Sequence, residues 1–123
     1  MILSLDEVRR AHVFVARRFG LREQLDERRI VEALEEATRL AGGRPEDEPA
    51  AALFALNRRA RALGGAWLSL PLLLAENVAR RHGLLLRLDP QDVELENLRL
   101  RSATPAGSFD EVRAWIAAHM TSR

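Results

Sequence analysis

The segment RRARALGGAWLSLPLLLAENVARRHG, Arg58 to Gly83, decides the fold. It reads as the end of one buried helix, a loop about Gly64-Gly65 and the start of a second, very apolar helix. Ser69 is placed to cap that second helix, because its side-chain oxygen can accept from the free N–H groups of the first turn. Pro71 then falls in the first turn, where its missing N–H costs no hydrogen bond. Gly83 suits the left-handed position that closes a helix. A glycine-rich loop feeding a helix N-terminus is also an anion site in principle, since unpaired N–H groups and the positive end of the helix dipole point the same way. The same pattern serves a plain helix–loop–helix corner, so the segment alone leaves both readings open.

Upstream, Ser4-Leu5-Asp6-Glu7 is a capping box. Val8, Ala11, His12, Val15, Ala16 and Phe19 follow at helical spacing, and Gly20 ends that helix. Arg9, Arg10, Arg17 and Arg18 lie mostly off the apolar stripe and read as a solvated face. A second helix is expected from about Asp26 to Leu40, buried along Ile30, Val31, Leu34 and Ala37, and stopped by Gly42-Gly43. Arg44 to Pro49 reads as an exposed acidic loop with Asp47 as a cap and Pro49 in the next first turn. The third helix, about Pro49 to Leu63, is apolar nearly all round and is expected at the centre. Arg58, Arg59 and Arg61 would then cluster at its C-terminal end.

Downstream of the apolar helix, Leu84 to Leu88 reads as a small strand. Asp89-Pro90 is a good helix start. The segment Gln91 to Leu100 fits neither period cleanly, and we read it as helix. Ser108-Phe109-Asp110-Glu111 is a second capping box, and Val112, Trp115, Ile116 and Met120 mark the buried face of a closing helix. The expectation is an all-α single domain spanning residues 1–123: a compact bundle of about six helices, with at most a short β element near 84–88.

Composition narrows the function. The net charge of +1 argues against bulk electrostatic binding to nucleic acid or membrane. All 19 basic residues are Arg, and the excess of Arg, Ala and Leu suggests a GC-rich genome. Without Cys there is no disulfide, thiolate metal site or Cys nucleophile. No signal-type apolar run opens the chain, and the longest apolar stretch is too short for a membrane span, which places the protein in the cytoplasm. His12, His82 and His119 have no spacing partners for a metal, so no metal ligand and no catalytic residue is assigned. Trp67 and Trp115 read as core anchors, with Trp67 alternatively lining a pocket beside the glycine loop.

With this order of helices and loops, the chain resembles the death-on-curing (Doc) branch of the Fic/Doc family over nearly its full length. Leu3 to Val8, His12 and Arg17-Arg18-Phe19-Gly20 are similar to the family's first helix, and Ile30 to Leu34 to its second. Glu48 to Gly83 resembles its central helix pair without a gap, and Leu84 to Asp89 and Gly107 to Glu111 continue the likeness. The family signature is His-Pro-Phe-x-Asp/Glu-Gly-Asn-Lys-Arg-Thr. Its His takes a proton from a target hydroxyl, its acidic residue holds magnesium on the nucleotide phosphates, and its amides, Asn and basic residues cradle those phosphates. Read without a gap, this chain has Arg61 in the place of the His, with Ala62 and Leu63 for Pro and Phe. Gly65 falls at the acidic position, Trp67 at the Asn, Leu68 at the Lys and Ser69 at the Arg. Arg has no accessible neutral form near pH 7, so Arg61 cannot be a general base. Gly65 offers no metal ligand. A displaced alignment would set Asn57-Arg58-Arg59 as a remnant of Asn-Lys-Arg, although it lies inside the predicted central helix.

The resemblance therefore implies a bacterial toxin–antitoxin or regulatory setting for a protein without the family's nucleotide-dependent phospho- or AMP-transfer. Such a protein works by binding a protein partner, antitoxin-like or regulatory, with a homodimer also open. A remnant anion or nucleotide site would use Arg61, Gly64, Gly65, Ala66 and Ser69. Two other readings stand beside it. One is an active transferase using ATP with magnesium and groups recruited from elsewhere, such as His12 or His82. The other is a nucleic-acid-binding regulator, which needs Arg9, Arg10, Arg17, Arg18, Arg58 and Arg59 on one face.

Overall fold

In the computed structural model, residues 2–122 are described, and they form seven α-helices and a two-stranded sheet. Helix α1 spans Leu5–Phe19; Ser4 caps it, its hydroxyl accepting from the Glu7 N–H at 3.2 Å. Helix α2 spans Glu27–Ala41 and is capped by Asp26. Gly20 and Gly42 close these helices at φ 66° and 58°, a left-handed conformation that a side chain makes costly. The two helices are tied by Arg9, which grips Glu27 with two hydrogen bonds of 2.7 Å. That pairing holds the Glu27 carboxyl below its ordinary value of 4.5.

The acidic loop differs from expectation. Pro45–Asp47 is a 3-10 turn, and Asp47 is buried and caps nothing. Its carboxylate instead accepts from Arg44 at 2.6 Å and lies 4.0 Å from Arg113. Helix α3 spans Glu48–Asn57 with Pro49 in its first turn, and every residue from Pro49 to Asn57 is buried. It serves two cores. Ala51, Ala52, Ala55 and Leu56 pack with Val8, Ile30, Leu34, Leu70 and Val78. Ala50, Leu53 and Phe54 pack with Leu72, Leu95, Leu98, Val112 and Ile116. Alanines at the helix start let its neighbours close in, and the absence of a polar face leaves the helix nowhere to go but the centre.

The expected continuation of this helix to Leu63 does not occur. The chain breaks at Arg58-Arg59, resumes as α4 (Ala60–Leu63), and passes through a 3-10 turn (Gly64–Leu68) into α5 (Leu70–Arg81). Arg58, Arg59 and Arg61 therefore do not share one helix end. The segments Ala60–Leu68 and Leu70–Arg81 are bent by 82°, and among the described residues no single helix is long and apolar enough to cross a membrane. Pro71 sits in the first turn of α5 as expected, and Gly83 follows its end at φ 70°, its N–H donating to Arg80 at 3.1 Å.

Strand β1 (Leu84–Leu86) pairs antiparallel with β2 (Met120–Ser122), Leu85 opposite Thr121. Helix α6 spans Val93–Ser102, so the segment with no clean period is helical. Its cap is Asp92, which accepts from the Glu94 and Leu95 N–H groups, while Asp89 only closes a turn onto Gln91. Helix α7 spans Phe109–His119 from its Ser108 cap. Met120, expected on its buried face, belongs to β2 instead, because pairing with β1 draws the chain out of the helix.

The Arg9–Glu27 tie yields an expected pH dependence. A carboxyl held below its ordinary value in the folded state adds stability above that value and loses it as pH falls through the lowered one. The stability difference between wild type and Glu27→Gln in urea unfolding will be full at pH 7, begin to shrink as pH falls past about 4.5, and be gone only below the lowered value.

Candidate functional site

The residues around Gly64-Gly65 are held from both sides by the chain itself. On one side lies the connector between α1 and α2. Its Asp26 N–H donates to Ala62 at 3.1 Å, and the Glu23 carboxylate accepts from the Gly65 N–H at 3.2 Å. Gly64 adopts φ 56° and ψ −136°, a backbone state open only to glycine, and a Cβ there would run into the Glu23 carboxylate. The amide expected to cradle a foreign anion is thus already serving a carboxylate of this protein.

On the other side lies a buried polar knot. Asn57, at the end of α3, is fully buried. Its Nδ2 donates to the Arg99 carbonyl and to Ser102 Oγ, both at 2.8 Å. Its Oδ1 accepts from Arg99 Nε at 3.0 Å. Arg99 is only 4% exposed, and its guanidinium donates further to the Leu68 carbonyl at 3.0 Å and to the Trp67 carbonyl. It also lies 4.0 Å over the Trp67 ring, whose indole N–H donates to the Asn57 carbonyl at 2.8 Å. A cation suits this place because carbonyls at the C-terminal end of a helical turn carry partial negative charge. Burial pushes the guanidinium down to about 10, so it stays charged at neutral pH. Among the described residues no ion pair includes it; neutral acceptors on its neighbours take its hydrogen bonds.

The five residues assigned to an anion remnant fare differently. Arg61 is exposed on α4, Ala66 is buried in the core, and Gly64 and Gly65 meet Glu23. Ser69 makes no side-chain cap, contrary to expectation, because the 3-10 turn runs directly into α5 and leaves its backbone in a helical state. Trp67 is half-buried in the knot. Asn57-Arg58-Arg59, the alternative remnant, is spent on structure: Arg58 lies over Phe54 and Arg59 pairs with Glu36 at 3.0 Å.

The histidines are dispersed. His82 pairs with Glu48 at 3.0 Å and follows the C-terminal end of α5, whereas Gly64-Gly65 precede its N-terminal end, and His119 stacks on Trp115 with centroids 3.7 Å apart. His12 lines a depression with Asp26 and Glu27, beside the connector that reaches Gly65. Among the described residues no three His, Cys, Asp or Glu side chains group as metal ligands. The arginines expected to share a nucleic-acid face are partly neutralised, Arg9 by Glu27 and Asp6, and Arg59 by Glu36.

No protein family, no curated protein and no solved structure matches the chain.

The knot was missed in the sequence, although it left a signal. Leu95, Leu98, Arg99 and Ser102 are the buried residues of α6, a helical stripe with polar members. Truncating one member strands buried partners, so Asn57→Ala will cost roughly 2–4 kcal/mol in urea unfolding. Arg99→Lys will not restore wild-type stability, because an ammonium cannot reproduce the planar fork.

Proposed function

We propose that this chain is a Doc-like member of the Fic/Doc family that has lost the nucleotide-dependent transfer chemistry and acts by binding a protein partner in a toxin–antitoxin or regulatory setting. The observation that carries the reading is the state of the signature loop. Arg61 stands where a base is needed, Gly65 where a metal-holding carboxylate is needed, and the Gly65 amide is engaged by Glu23. Phosphates entering the loop would have to displace that carboxylate and would then meet Trp67 and Leu68 instead of Asn and Lys. Transfer of phosphoryl groups depends on positioning and on electrostatic stabilisation, and loss of a positioned base alone costs about two to four orders of magnitude. The anion remnant at Arg61, Gly64, Gly65, Ala66 and Ser69 belongs to the same proposal as a weak, magnesium-independent site opened only when Glu23 withdraws.

A second reading rests on His12, which shares its depression with Asp26 and Glu27 next to the loop connector. It takes the chain as an active transferase whose base was recruited from α1. Its carboxylates are already committed, Asp26 to capping α2 and Glu27 to Arg9, which favours the first reading.

The test is a transfer assay with radiolabelled ATP, magnesium and candidate protein targets. The expected result is no label on any protein and no heat of ATP binding to wild type. Labelling that disappears in His12→Ala would replace the first reading with the second. A Glu23→Gln variant will take up ATP weakly and without need for magnesium.

A further inference from the structure

Helices α1 and α5 leave an open groove between them, and its charge is unbalanced. One part, of about 430 Å³, is floored by Leu3, Ala11, Leu73 and Leu74. Beyond Arg10 and Phe14 it opens onto the outer face of α1, a surface formed by these two with Val13, Arg17 and Arg18 alone. Phe14 is 60% exposed and Val13 46%, so α1 offers apolar surface outward as well as to the core. The single carboxylate lining the groove, Glu7, is engaged by Arg81, which also donates to the Ile2 carbonyl at 2.8 Å. Arg10, Arg17 and Arg18 have no ion pair among the described residues, in contrast to Arg9 on the same helix.

We infer that this groove is the docking surface for an acidic amphipathic segment of a protein partner, with aliphatic or aromatic anchors set beside Phe14 and carboxylates facing Arg10 and Arg17. The inference rests on the protein-binding reading above and names its surface. Arg10 and Arg17 are two helical turns apart, about 10 Å along α1. Carboxylates at i and i+7 of a partner helix, or three residues apart in an extended strand, span that distance. The aliphatic floor argues for peptide anchors. Within the groove a nucleic acid would find one ring, Phe14, to stack on; Phe19, also exposed, lies at the end of α1 outside it.

The test is display selection of 16-residue peptides against the wild-type protein, followed by fluorescence anisotropy with the selected peptides. Two variants are measured in parallel, Phe14→Asp and the double variant Arg10→Glu/Arg17→Glu. Their positions are solvent-exposed, and an unchanged urea midpoint confirms that they fold. The expected peptides combine Asp or Glu with Leu, Ile or Phe, bind at least about tenfold more weakly to either variant, and regain binding to the double variant when their acidic residues become Lys. Peptides that bind wild type and both variants alike overturn the groove assignment and leave the protein-binding reading standing. Failure to obtain any saturably binding peptide overturns both. Tighter binding of a single-stranded oligonucleotide or of phosphatidylserine vesicles, lost in the same variants, overturns the proposal in favour of that ligand.

Discussion

A buried guanidinium that pairs with no carboxylate among the described residues is the constraint on which the arrangement of this molecule depends. Arg99 brings a full charge into the interior, and desolvation alone would make that prohibitive. The charge is tolerated because three acceptors converge on it: Asn57 Oδ1 and the carbonyls of Trp67 and Leu68. Those acceptors belong to the end of α3 and to the 3-10 turn, while Arg99 belongs to α6. Three segments distant in sequence must therefore be in register before the charge is satisfied. The break after α3 follows from the same requirement. Were the helix to run on, the Asn57 carbonyl would be spent within it, and the Trp67 indole would lose its acceptor.

The glycine loop consequently behaves as a structural joint. Glu23 holds its N-terminal amide, Arg99 holds its C-terminal carbonyls, and Trp67 is fixed between Arg99 and Asn57. Both polar ends of the turn are complemented from within, acid to N–H and cation to C=O, as the direction of its dipole requires. A loop that catalyses phosphoryl transfer keeps its amides free for phosphate. In this turn the electrostatics are answered internally, and the surface with uncompensated charge lies instead along α1.

Local rules made much of the architecture legible. Ser4 and Ser108 cap their helices, Gly42 and Gly83 end theirs, and the all-α bundle with a short β element near residue 84 follows from the apolar periodicities. Where the reading failed, a long-range contact had overridden the local pattern. The segment 91–100 read poorly because its buried stripe contains Arg99, while the apolar Val93 and Leu100 face solvent at 67% and 54% exposure. Asp47 looked like a cap but is claimed by Arg44 and Arg113. Ser69 looked like a cap but follows a turn that is already helical. Glu23 carried no signal at all, since an acidic residue in a connector is unremarked until its partner, 42 positions away, is known.

The separation of Asn57 and Arg99 has a kinetic consequence. They are 42 residues apart, and the loop between them contains α4, the 3-10 turn and α5. Closing so long a loop is entropically costly, and an arginine gains nothing by leaving water until every acceptor is in place. The knot therefore forms after the helices have converged, on the native side of the folding barrier. Interactions of that kind leave the rate of folding nearly untouched and act on the rate of escape from the native state. Arg99 is a latch in time as well as in space: it sets how long the folded molecule persists more than how quickly it is made.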